Sequence, residues 1–154
     1  MESIEGVRNG ANARAAKLTD KDPLKKQLQD LASKSDALRS KIVATKEGGM
    51  ITGEERIREL LGQLYGTVNG YEGRPGDYQA ARADSLAHEL EDVIGDFQKL
   101  TQTELPKVNA SLKKKNTEAI TVLQEADWQK KRESEGSSGA AAGLRAFGEM
   151  REMD

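Results

Sequence analysis

Apolar positions along this chain fall into seams that recur at alternating spacings of four and three. Leu24, Leu28, Leu31, Leu38 and Ile42, with Ser35 as a polar interruption, make the first. Ala83, Leu86, Leu90, Val93, Phe97 and Leu100, with Ile94 beside them, make another. Such spacing keeps side chains on one helical face. Between the two, Ile57, Leu60, Leu61, Leu64, Tyr65 and Val68 read as the core-facing stripe of an amphipathic segment. The pattern predicts an all-α fold: an antiparallel bundle of three main helices, about 23–46, 54–69 and 77–115, the last two forming a helical hairpin.

Local punctuation agrees with these limits. Asp22-Pro23 pairs a capping side chain with a proline suited to the first helical turn. Glu47-Gly48-Gly49 is a stop, and Thr52-Gly53-Glu54-Glu55 has the spacing of a capping box. Asn69-Gly70 is a second stop, since both residues tolerate a left-handed backbone. Gly76 is a candidate cap for the third helix, with Asp77 at its positive end. Pro106 cannot donate to the helical ladder, so the helix kinks or restarts there before Leu105, Val108 and Leu112 carry it to Lys113-Lys114-Lys115. Ala119-Ile120-Thr121-Val122-Leu123 reads as a short extended segment, followed by a last turn from Glu125 to Lys131 carrying Trp128.

Three regions result. Residues 1–21 hold only Ile4, Val7 and Leu18 as sizeable apolar groups and read as a flexible lead-in. Residues 22–131 form the bundle. Residues 132–154 read as a disordered tail: Glu133 to Gly139 is linker-like, and Leu144, Phe147 and Met150 are too few to hold an isolated helix.

Composition narrows the function classes. Aromatic residues are 4% of the 154, so the core is aliphatic, which suits helix-on-helix packing. The 24 basic and 26 acidic side chains leave a net charge of −2, no field to attract a polyanion, and nucleic acid is not an expected partner. There is no cysteine, hence neither disulfides nor thiolate metal sites. The amino terminus lacks a basic and an apolar signal region, and no apolar run nears the roughly 20 residues of a membrane span. The sequence as written predicts a soluble chain without an export signal of its own; its compartment stays open.

Candidate chemistry is sparse. Gly48 and Gly53 have the spacing of a phosphate loop, but Glu54 and Glu55 stand where lysine and a hydroxyl are needed. His88, the single histidine, lies off the Leu86–Leu90 seam, with Glu91 and Asp92 one turn on; a solvated helix face explains it better than a metal site. The carboxylate pairs Glu54–Glu55, Glu89–Asp92 and Glu91–Asp92 sit on predicted exposed faces, where neither member acquires the raised pKa of a general acid. No catalytic residue, cofactor or metal is expected. Asn109-Ala110-Ser111 matches a glycosylation pattern in a helical setting. The strongest candidate lies around the hairpin loop: Tyr65, Tyr71, Arg74 and Tyr78 cluster there, residue types enriched at binding hot spots. They close the end of the bundle or form an intermolecular surface, and Trp128 poses the same choice.

Gly48-Gly49-Met50-Ile51-Thr52-Gly53-Glu54-Glu55, Leu64-Tyr65-Gly66, Val68-Asn69-Gly70-Tyr71-Glu72-Gly73-Arg74-Pro75 and Glu104-Leu105-Pro106-Lys107-Val108-Asn109 together resemble a C-terminal helical region. That region occurs in large exported bacterial proteins with sortilin-like (Vps10-type) BNR-repeat β-propellers, often labelled glycosyl hydrolase- or sialidase-like. The resemblance runs from about Leu38 to Trp128, and the propeller has no counterpart here. It implies a helical appendage that packs on a propeller or another protein partner. The expected function is therefore a non-enzymatic interaction module. A homo-oligomer paired through the first seam, with Ser35 setting register, is the alternative. A glycosidase fragment is the third reading; it needs two carboxylates about 5–10 Å apart across a sugar-sized cleft.

Overall fold

The computed structural model describes residues 1–45, 54–70, 72–130 and 132. The fold is all-α, with helices α1 (Glu2–Ala15), α2 (Pro23–Ile42), α3 (Ile57–Asn69), α4 (Asp77–Thr103) and α5 (Leu105–Lys114), and no strand among the described residues. Two compact units divide the chain, Met1–Val122 and Leu123–Asp154. No helix among the described residues is long and apolar enough to cross a membrane.

The first helix corrects the expectation of a flexible lead-in over 1–21. Residues Ile4, Val7, Ala11 and Ala15 are buried at helical spacing, and α1 makes with α2 the most extensive helix contact in the molecule. Two of these four seam positions are alanines. Alanine adds little to an apolar pattern, yet it lets two helices approach closely while costing nothing in helix propensity.

The predicted first helix is α2. Asp22 caps it, its Oδ1 accepting from Leu24 N at 3.0 Å, and Pro23 occupies the first turn. Leu24, Leu28, Leu31, Ser35 and Leu38 are all buried, so this seam is consumed inside the monomer. Ser35 turns its hydroxyl back on its own helix, donating to Leu31 O at 2.8 Å. The helix ends at Ile42, short of the expected Lys46, because buried, β-branched Val43 is extended. Carboxylates from the next segment meet the emerging chain: Ala44 N donates to Glu59 Oε2 at 3.1 Å and Thr45 N to Glu54 Oε2 at 3.2 Å.

Cross-helix ion pairs give the register. Asp22 pairs with Lys115, Lys34 with Glu104, and Lys41 with Asp96, so α2 runs antiparallel to the chain from residue 115 back to 96. Arg8 pairs with Asp36 at 2.9 Å across α1 and α2. The predicted long third helix is α4 plus α5, broken at Glu104. Pro106 sits in the first turn of α5, and Val108 N restarts the ladder by donating to Glu104 O at 3.1 Å.

After α5 the backbone reverses through Asn116, at φ 52°, and residues 117–124 run without helix, as the β-branched segment predicts. Ile120 inserts into the core cluster. Two side chains pin this strap. Asn109 donates to Ile120 O at 2.9 Å and accepts from Ile120 N at 2.8 Å. Arg14 donates to Glu118 O at 2.8 Å and Ala119 O at 3.1 Å, while its third nitrogen reaches Gly10 O. A Cβ at position 10 would stand 3.3 Å from Ile120 Cγ2, so glycine there lets the strap lie close to α1. Asn109 is thus a backbone clamp with both amide atoms engaged, whatever its match to a glycosylation pattern.

Candidate interaction surface

Helices α3 and α4 form an antiparallel arm. Their near ends are joined by residues 70–76, and a shallow groove of about 290 Å³ is lined by Ile57 and Leu60 of α3 and Glu89, Asp92 and Val93 of α4. The α3 start differs from the capping box read at Thr52 to Glu55. Thr52 and Gly53, like the Glu47 to Gly49 stop, lie outside the described residues. Arg56 is the residue before the first turn, and Glu59 reaches back to accept from Arg56 N at 3.1 Å. Gly76 precedes α4 as expected, its N–H donating to Gln79 Oε1 at 2.9 Å. The Asn69-Gly70 stop uses no left-handed residue: Gly70 has φ −77°, and a Cβ there would lie 3.1 Å from Gly66 O. Close approach to a carbonyl, not a positive φ, favours glycine at this position.

The arm carries more apolar surface than it covers. Only Ile57 of α3 is buried, while Leu60, Leu64 and Val68, the side facing α4, are half-buried. Leu61 is 40% exposed, Tyr65 71%, Tyr78 72% and Ile94 48%. Leu61 and Tyr65 were expected in the core; one neighbouring helix cannot cover a stripe six apolar residues wide. In an antiparallel pair, the residue after each facing position lies on the same side of both helices. Leu61 and Tyr65 on α3 therefore share a side with Ala87 and Ile94 on α4. Asp84 and Glu91 flank that side.

The sequence-predicted residues scatter more than expected. Tyr65, Arg74 and Tyr78 are exposed at or near the loop end of the arm, and Tyr71 lies outside the described residues. Trp128 belongs to the second unit, on a helical stretch at 125–130, half-buried with the Arg132 guanidinium 5.1 Å from its ring centroid. Of the predicted tail 132–154, only Arg132 is described.

The arm is also strongly acidic. Residues 57–103 hold eight carboxylates against three arginines and one lysine, net −4, whereas the rest of the chain holds 20 basic and 18 acidic side chains, net +2. Charge reading over the whole chain hid this asymmetry.

His88 Nδ1 lies 3.2 Å from Glu91 Oε2 on an exposed face. No group of three or more metal-ligating side chains converges among the described residues. The groove carboxylates Glu55, Glu89 and Asp92 share their open cleft with Lys41 and Arg56. Three aspartates move from their ordinary range, all downward: Asp20 through its hydrogen bond to Lys25, Asp22 through Lys115 and the Leu24 amide, Asp96 chiefly through Lys41. A lowered pKa keeps a carboxylate ionised further into acid, the reverse of what a general acid needs. No known protein family, curated protein or solved structure matches this chain.

Proposed function

We propose that this chain is a non-enzymatic helical interaction module whose α3–α4 arm docks on a protein partner. The observation that carries the reading is the arm's uncovered apolar side, with Leu61, Tyr65 and Ile94 exposed although Ile57, Val93 and Leu100 of the same helices reach the core. Tyrosine beside aliphatic side chains, with Arg74 and Tyr78 at the loop end, is the composition of a binding hot spot. A β-propeller is the first partner to consider, on the strength of the sequence resemblance. Self-association through the Leu24–Leu38 seam loses its motive, because α1 already covers that seam.

Photo-crosslinking tests the proposal. A photoreactive phenylalanine analogue replaces Tyr65 or Tyr78, and separately Lys26, which is exposed on α2. Discrete protein adducts from native extract at 65 and 78, and none at 26, are the expected outcome. Adducts of equal yield at all three positions, or none at any, overturn it.

A further inference from the structure

The sign and shape of the arm identify the kind of partner it takes. This step rests on the arm being the docking surface. Helices α1, α2 and α5 bury their seams among one another, each apolar seam finding a neighbour. The arm is two helices wide, and Leu60, Leu64 and Leu90, which face the partner helix, remain half-buried. Two antiparallel helices leave a long shallow valley on each side, and a third helix laid in the valley covers both flanks at once.

Charge then discriminates among the helices available. A second copy docked arm on arm would bring another surface of net −4 against the first. The chain's own residues 133–154 hold two arginines against five carboxylates, so they too carry the wrong sign. Asp84 and Glu91 border the apolar side from α4, with Glu89 and Asp92 on the neighbouring flank and no lysine or arginine between residues 84 and 96, while α3 sets Arg58 alone against them. We infer that the arm's open side receives a cationic amphipathic helix of another protein, aliphatic on its inner face and rich in Lys or Arg along its margins.

The test uses the full chain and two synthetic helices of about 18 residues, five turns at 3.6 residues per turn. Both have the same leucine stripe at i, i+3, i+4 and i+7; one has lysine at every other position and the other glutamate. Fluorescence anisotropy of labelled peptide reads binding. The expected result is binding of the lysine helix alone, weakened about tenfold or more between about 50 and 500 mM salt as screening grows. Leu61→Ala with Ile94→Ala, both exposed and so tolerable to the fold, weakens it by a similar factor, with helicity by circular dichroism unchanged. Asp84→Lys with Glu91→Lys shifts preference toward the glutamate helix.

Equal binding of both helices, or binding indifferent to Leu61 and Ile94, overturns the inference. So does self-association of the chain that depends on Leu61. If neither helix binds while crosslinks at Tyr65 persist, the cationic-helix inference falls and the interaction module stands. If both fail, the arm is not a docking surface.

Discussion

Replacing Asn109 by alanine removes both hydrogen bonds that fix Ile120, the residue through which the strap enters the core. Each neutral hydrogen bond contributes about 0.5–1.5 kcal/mol net, and a backbone group left without a partner in a buried setting adds about 1–3 kcal/mol. Water can reach part of the clamp, which is half-buried, so the expected loss is about 2–4 kcal/mol. For a unit of this size, Met1–Val122, that corresponds to a fall in Tm of roughly 10 °C. Thermal unfolding by circular dichroism reads the loss, and hydrogen exchange at the Ile120 amide reads its origin. Asn109→Asp keeps the acceptor for Ile120 N but sets a carboxylate oxygen against Ile120 O in place of the donor, so it too destabilises the strap. Ser111→Ala, two residues along the same helix and bonded only to Lys107 O in an exposed setting, is the control and changes stability by under about 0.5 kcal/mol. An Asn109→Ala chain that melts with the Ser111→Ala control would refute the idea that a side-chain clamp holds the strap.

Three further outcomes are expected. Val7→Ala, at a fully buried α1 position, costs about 2–3 kcal/mol from lost methyls and the cavity left behind; a change under about 0.5 kcal/mol would return α1 to a dispensable lead-in. Asp22 and Asp96 hold their protons less tightly when folded than the unfolded value of about 3.9, so their contribution is present above that value and lost as pH falls through the lowered folded pKa. Urea titrations at falling pH should therefore show declining stability, flattened in Asp22→Asn with Asp96→Asn. Gly62→Ala, where an added Cβ meets nothing within 4 Å, should raise stability by up to about 1 kcal/mol in chemical denaturation, and a loss there would contradict the open face of α3.

What sequence reading captured was the local part of the fold. Asp22-Pro23, the Leu24–Leu38 seam and the break forced by Pro106 each depend on residues within a turn or two of one another. Propensity and periodicity report such relations directly. Helix α1 escaped because Ala11 and Ala15 do as seam residues what leucines do elsewhere, without raising the apolar signal. The strap's fastenings escaped for another reason: Arg14 and its carbonyl partners stand 104 and 105 residues apart, and no repeat or spacing marks such a pairing. At the arm, Tyr65, Arg74 and Tyr78 are exposed, whereas the sequence pattern puts Leu61 and Tyr65 on the core-facing stripe and Ile94 beside its seam. Their signal was present in the width of the α3 stripe, which exceeds what one neighbour can cover. The acidity of the arm was equally readable, once charge is summed by element.

The strap also has a consequence for synthesis. On the ribosome α1 emerges before α2 and can pair with it as soon as that hairpin clears the exit tunnel. The carbonyls of Glu118 and Ala119, which Arg14 grips, and the Ile120 side chain that lies over Gly10 arrive about a hundred residues later. Helix α1 is therefore sealed by a segment made long after it. A nascent chain stalled before Thr117 leaves the Gly10 side of α1 uncovered and Arg14 held only by the carbonyl of Gly10 on its own helix.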